Sequence, residues 1–429
     1  MSNVKPAGNV AKSLEVALTV PQVEYLLSPR AIRDQAKAIF ERTTGTDSAT
    51  GARKASAVGS FRYHPEKLEP TVKYVLDVIK EKYPDLKIPF HSRWGHFQVA
   101  GVDRVKELNE KLAGLDPFEV ARAKIDLVIP SVLLDAGAGP AWKYRDGPRM
   151  LFRSEGLAVA SFRLFMAGCL SDDRLSLRTD AIGLEHLPMS YLMDHFQVSE
   201  RNPLAGLDGR YALMQNLSKA LLNAEVFPAQ RPGSIFDCLR KRHGASIPAV
   251  GILKAVLEGL GPIWPGRLTC KGVNLGDVWR HSQLNPMDLS KSLVPFHKLS
   301  QWLTYSLIEP IQDAGLPVTG VEELTGLAEY RNGGLILDSG LITLKDPTDI
   351  QREWKPESDL IIEWRALTIH LLDLIGAEVQ KALCKTAAEF PLAKVLEGGT
   401  WWAGRKIAAE KRPPEGGPPF KIISDGTVF

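Results

Sequence analysis

Two histidines, an arginine and a tryptophan fall within seven residues at His91-Ser92-Arg93-Trp94-Gly95-His96-Phe97. The chemistry open to such a group is anion binding by Arg93 or metal ligation by the histidines. The residue types favour a blander outcome: a helix start in which Trp94 and Phe97 pack while Arg93 pairs with a carboxylate. No further His or acidic cluster stands at a ligand spacing, so no metal is expected. A second group is Leu134-Asp135-Ala136-Gly137-Ala138-Gly139-Pro140-Ala141-Trp142-Lys143-Tyr144. Its small residues let backbone approach a ligand, Trp142 or Tyr144 can stack on it, and Lys143 or Arg145 can hold an anion. A tight turn carrying solvated charges accounts for the same residues equally well.

The third group is Thr325-Gly326-Leu327-Ala328-Glu329-Tyr330-Arg331-Asn332-Gly333-Gly334, with Asp338 following. A Glu and an Arg around a Tyr, ahead of two glycines, can set a carboxylate at a backbone bend. An ion pair on a helix end is the competing explanation. In the fourth group Glu363, Arg365, His370 and Asp373 interrupt an apolar run. Glu363 and His370 are seven residues apart and share one helix face. Buried charges must be paired or functional because desolvation is expensive, so a salt-bridge network supporting the site is expected ahead of direct catalysis.

The elements that must position these groups are mostly helices. Residues 1–20 are polar without clear period and read as a mobile arm. Ser28-Pro29 is a capping hydroxyl followed by proline at the first helical position, and Ala31, Ala36, Ile39 and Phe40 supply that helix's apolar side. Residues 45–59 read as a loop. Helical spacing returns over 65–83, 102–115, 118–128, 155–170, 204–226, 235–243 and 249–260. From Met287 the chain leads into a helix with Phe296, Leu299, Leu303, Leu307 and Ile311 on one stripe. Residues 360–374 are apolar nearly all round, which places them at a bundle centre. Only 267–275 and 335–344 look extended. After Trp401-Trp402 the chain turns rich in Pro, Gly and Lys and reads as a tail that packs by its aromatics or is partly disordered. The expectation is a mainly α fold: an arm over 1–20, a single compact helical domain over 21–400, and a tail over 401–429.

Bulk properties narrow the function classes. The 53 Lys and Arg nearly balance 50 Asp and Glu in 429 residues, so there is no electrostatic footprint for nucleic acid or for an anionic membrane. No stretch reaches the roughly 18 apolar residues that a membrane span needs, and no signal peptide is recognisable. Cys169, Cys238, Cys270 and Cys384 are scattered, which fits neither a zinc site nor a disulfide scaffold. A cytoplasmic enzyme or binding protein is the expectation.

The four groups, in this order, resemble the uracil-catabolism protein 4 family from about Val23 to about Lys394. The strings IPFHSRWGHF, LLDAGAGPAWKY and EYRNGG carry the resemblance. It implies a role in a pathway that releases nitrogen from uracil, through ribosylurea, to urea. A second similarity is to the queuosine-nucleotide N-glycosidase family, whose fold is like the helix-hairpin-helix DNA glycosylases. Its Ala-Asp-Tyr-Arg motif is matched by Ala328-Glu329-Tyr330-Arg331 and its Glu-Ile-Arg-Ala string by Glu363-Trp364-Arg365-Ala366. Its Leu-Leu-Asp-Ala string falls at Leu133-Leu134-Asp135-Ala136. Glu329 is one methylene longer than that family's Asp, and Asn332-Gly333-Gly334 replaces its Val-Pro-Gln, which implies a different leaving group.

Together the resemblances imply hydrolysis of an N-glycosidic bond, with ribosylurea or its 5-phosphate as substrate. Positive charge builds on the sugar in such a reaction, and a preorganised carboxylate stabilises it. Glu329 and Arg331 are the expected catalytic pair. The expected substrate-binding residues are His91, Arg93, Trp94, Asp135, Trp142, Lys143, Tyr144, Tyr330, Asp338 and Glu363. No cofactor is expected, and the partners are the small-molecule substrate and other uracil-catabolic enzymes. Two rivals stand: a ring-opening amidohydrolase, which needs a metal cluster or an activated nucleophile, and a non-catalytic scaffold, which would expose a large apolar patch.

Overall fold

The computed structural model describes residues 14–52, 58–264, 267–284, 289–413 and 416–423. Its axis is the helix Asp359–Ala382, whose Leu360, Ile361, Trp364, Leu367, Leu371 and Ile375 are all buried. The helix Pro29–Thr44 lies against it. Ser28 accepts from Ala31 N at 3.2 Å and Gly45, at φ 67, ends the helix, as cap chemistry dictates. Ile32, Ala36 and Ile39 meet Ile362, Ala366 and Ile369; both sets follow the i, i+4, i+7 stripe of a helix face.

Two further helix pairs complete the frame around the site. Lys298–Asp313 packs on Pro117–Leu133, and Tyr330–Asp338 on Trp401–Lys411. At the second crossing a Cβ on Gly404 would collide with the Arg331 carbonyl, so only glycine permits this approach. On its other side the Tyr330–Asp338 helix presses Gly333 against Trp364, which donates from Nε1 to the Gly333 carbonyl at 3.0 Å.

Strands are two or three residues long and tie loops to this helical body. Ile342–Leu344 runs antiparallel to Phe61–Tyr63, with Ile342 opposite Tyr63. Tyr144–Asp146 and Arg149–Leu151 form a hairpin with Tyr144 opposite Leu151. The fold is mainly α and compact, as its sequence patterning predicts. Among the described residues no helix is long and apolar enough to cross a membrane.

Several elements differ from the expectation. Residues 14–20 do not hang free: Leu14–Glu15 pairs in parallel with Leu268–Cys270, and Val16 and Leu18 are buried. Their alternation is the period-2 signal of a strand, too short to stand out in a polar stretch. Residues 1–13, the rest of the expected arm, lie outside the described residues, as does Met287. Residues 335–338, read as extended, end the helix Tyr330–Asp338. Its buried positions Arg331, Asn332, Leu335 and Ile336 follow a helical face, and the two glycines hid that period. The stretch after 401, read as a tail, begins with the helix Trp401–Lys411, and Phe420 is buried edge-on against Trp364.

Candidate active site

Glu329 is the N-cap of the helix Tyr330–Asp338. Its carboxylate accepts from Arg331 N at 2.7 Å and Asn332 N at 2.6 Å, which fixes both oxygens in place. The following Tyr330 lies under the Arg331 guanidinium, 4.9 Å from the ring centre. Arg331 also donates to the Gly416 carbonyl at 2.8 Å.

The second carboxylate is Asp135, at the end of the helix Pro117–Leu133. It accepts from Arg93 Nη1 at 2.6 Å and from the Ser154 hydroxyl at 2.5 to 2.6 Å. Arg93 is fully buried, donates from Nε to Ser131 at 2.8 Å and lies over the Trp302 ring at 5.6 Å. Its neighbour His96 faces Trp302 and Trp401. Burial pushes the His96 imidazole down to about 4, with Arg93 acting in the same sense and Asp135, Glu155 and Glu397 opposing. His96 is therefore neutral at neutral pH.

Each carboxylate sits beside an arginine: Glu329 accepts from Arg331 N, and Asp135 accepts from Ser154, which follows Arg153 in the chain. Burial lowers the Lys298 ammonium, and Glu329 and Asp135 both act against that shift. Burial raises the Tyr330 hydroxyl; Arg331 and Arg153 pull it down while Glu329 and Asp135 push it up. Two carboxylates and two guanidiniums thus act on the Tyr330 hydroxyl. Beside it opens a cavity of about 510 Å³, lined by Gly139, Trp142, Arg153, Glu155, Arg331 and Arg405 among others. Such a volume suits a small polar metabolite. Glu155 accepts from Arg405 at 2.6 Å. Burial pushes Glu155 up, but Arg405 and His96 outweigh it and hold it below the usual carboxylate range.

A supporting layer sits behind. Arg365 donates to both oxygens of Asp277 at 2.8 and 2.7 Å and to the Ala328 carbonyl at 3.3 Å. Asp277 in turn accepts from Lys298 N at 3.0 Å. One guanidinium therefore sets the residue before Glu329 and the start of the Lys298–Asp313 helix together.

A family model described as a protein of unknown function, DUF1688, matches residues 25–429. The chain belongs to the DUF1688 family. It is 39% identical to Protein urg3 of Schizosaccharomyces pombe over 421 residues, covering 96% of this chain and all of the relative. It is 37% identical to Uracil catabolism protein 4 of Lachancea kluyveri, over 95% of this chain and 99% of the relative.

In this DUF1688 protein Trp142 and Arg331 line the cavity, Glu329 and Tyr330 adjoin Arg331, and Asp135, paired with Arg93, accepts from Ser154, the neighbour of the lining residue Arg153. His91 lies just behind, 2.7 Å from Glu397 through Nδ1 and near the Trp302 and Trp401 rings. The remaining expected residues are placed otherwise. Trp94 is buried and donates to the Ser306 carbonyl at 2.8 Å. Lys143 and Arg145 project from the hairpin as exposed side chains, while Tyr144 is buried beneath it. Asp338 is held by both terminal nitrogens of Arg412. Glu363, 2% exposed, accepts from Ser60 N at 2.7 Å and approaches His281 at 3.3 Å, so its oxygens serve a loop and not a ligand. Sequence reading missed His96 as a site member and also Arg153, Glu155, Lys298, Trp302, Trp401 and Arg405. His96 lies within the IPFHSRWGHF string; the others come from helix starts and the C-terminal helix, which carry no motif. Among the described residues no three His, Cys, Asp or Glu side chains gather as a metal-holding group.

Proposed function

We propose that this protein hydrolyses an N-glycosidic bond in uracil breakdown, releasing urea from a ribosylurea-type substrate in the cytoplasm. The name of the Lachancea kluyveri relative and the motif resemblance to an N-glycosidase family support the pathway and the reaction class. The observation that carries the reading is that the cavity wall adjoins both carboxylates: Arg331 N donates to Glu329, and Ser154, the neighbour of Arg153, donates to Asp135.

As the C1–N bond breaks, positive charge develops on the sugar, and fixed carboxylates stabilise it without reorganising. Water attacks C1 and gives its proton to a carboxylate. The electron pair of the broken bond goes to the ureido nitrogen, which takes up a proton from solvent, and the carboxylate then returns the water proton to solvent. Glu329, immobilised by two backbone donors, faces the developing charge, and Asp135 receives the water proton. Arg93 and Ser154 hold Asp135 in position. Lys298 is suited to a hydrogen bond with the ureido oxygen, and the Trp142, Trp302 and Trp401 rings restrict water around the reacting centre.

Incubation of the purified protein with ribosylurea and with ribosylurea 5-phosphate, following urea and the released sugar or sugar phosphate by mass spectrometry, tests the reading. The wild type is expected to release both products from at least one of the two compounds, and Asp135→Asn from neither. Intact ribosylurea and ribosylurea 5-phosphate after prolonged incubation with folded protein would sink it.

A further inference from the structure

We propose that Arg153, Arg331 and Arg405 form a binding site for a sugar phosphate monoester, so that the substrate is the 5-phosphate and not the free ribosyl compound. This deepens the glycosidase reading and rests on it for the identity of the sugar. Among the described residues three guanidiniums and one carboxylate, Glu155, line the same cavity of about 510 Å³. That excess of fixed positive charge in a concave, partly desolvated space is matched by a dianion.

The arginines are preorganised by other contacts. Arg331 is pinned by the Gly416 carbonyl and stacked on Tyr330. Arg405 is steered by Glu155 and lies 5.6 Å from the Trp401 ring centre. Arg153 opens the helix Arg153–Met166 with φ 52, a backbone setting that only a few per cent of non-glycine residues adopt. The Arg331 and Arg405 guanidiniums, held by these contacts, present their forked donors to phosphate with little further ordering. Gly139, at φ 80, and Pro140 form part of the cavity rim, and Trp142 supplies an apolar wall for the sugar.

The position along the site also fits. Arg331 N donates to Glu329, and Ser154, next to Arg153, donates to Asp135, so the cationic cavity adjoins both carboxylates. A sugar with phosphate on one carbon and its leaving group on another, several bonds away, would span the two. The expected sites for phosphate on Lys143, Arg93 and Arg145 are replaced: two of these are exposed on the hairpin and the third is committed to Asp135.

The test measures binding of ribose 5-phosphate, ribose and inorganic phosphate to the full chain by calorimetry, with tryptophan fluorescence as a second signal. Ribose 5-phosphate is expected to bind at least roughly ten-fold more tightly than ribose, the scale of a charge-assisted hydrogen bond. Inorganic phosphate should compete with it. Arg153→Gln and Arg405→Gln should each lose most of the preference, while Glu155→Gln, which removes the opposing charge, should strengthen phosphate binding. Equal binding of ribose and ribose 5-phosphate by the wild type overturns the site, whatever the variants do. Preference retained in folded Arg153→Gln and Arg405→Gln overturns the assignment to these arginines. Phosphate-dependent binding with no cleavage of ribosylurea 5-phosphate would leave the anion site standing and remove the glycosidase reading; cleavage of ribosylurea and its 5-phosphate with equal kcat/KM would do the reverse.

Discussion

Glu329 spends both oxygens on donors that the start of its helix leaves open, and the chemistry proposed here needs its charge as well. The two roles separate by substitution. Asn caps as well as any residue, whereas Ala costs about 1 kcal/mol at such a position. Glu329→Asn is therefore expected to unfold near the wild-type midpoint while kcat falls about 100-fold or more. A folded and fully active Glu329→Asn would reduce Glu329 to a cap. Glu309 offers a pH test in the same region. Burial, with Ser92 opposing and Asp313 and Glu397 adding, raises it to about 7 from 4.5. The folded state then holds its proton more tightly than the unfolded state. This stabilisation is full below the unfolded value and is lost as pH rises through the folded value. The wild-type Tm should fall relative to that of Glu309→Gln as pH is raised from about 5 to about 8. Parallel pH curves would show that the Glu309 carboxyl titrates normally.

At the scale of elements, the crossing of the helices Tyr330–Asp338 and Trp401–Lys411 places Arg331 and Arg405 on one cavity. Gly404 sets that crossing, because its missing Cβ leaves room for the Arg331 carbonyl. Gly404→Ala is expected to destabilise the protein by about 1–3 kcal/mol through overpacking. It should also weaken ribose 5-phosphate binding, since the helices must part. Denaturation and calorimetry on one preparation check both; unchanged stability would mean the crossing is looser than the geometry states. Much of this element layer was legible. Ser28-Pro29 marked a helix start, and the apolar run at 360–374 marked the axis. The helix Tyr330–Asp338 was not legible, because Gly333 and Gly334 have poor helix propensity and are kept there by Trp364 and the Glu329 cap.

For the molecule as a whole, the C-terminal segment closes the body. Phe420 is fully buried between Phe61 and Trp364, Lys421–Ile422 pairs with Glu353–Trp354, and Arg412 grips Asp338. Phe420→Ala should cost about 3–5 kcal/mol in urea denaturation, the range for a large buried aromatic. The same variant should weaken sugar phosphate binding, because Gly416, whose carbonyl orders Arg331, lies four residues earlier in this segment. Stability within error of the wild type would show that the segment is peripheral.

The sequence by itself determined the helical class, the central helix and the residues around Arg93, Asp135 and Glu329, since periodicity, caps and motifs are local properties of the chain. Tertiary structure alone decided which charges meet. Arg93 and Asp135 are 42 residues apart, and Arg405 and Glu155 are 250 apart. No spacing rule connects such pairs, because their distance is set by how helices cross and not by the chain between them. The same reason took Glu363, Lys143 and Asp338 out of the site. Their residue types suit ligand binding, but the crossing helices gave Glu363 and Asp338 other partners and left Lys143 facing solvent.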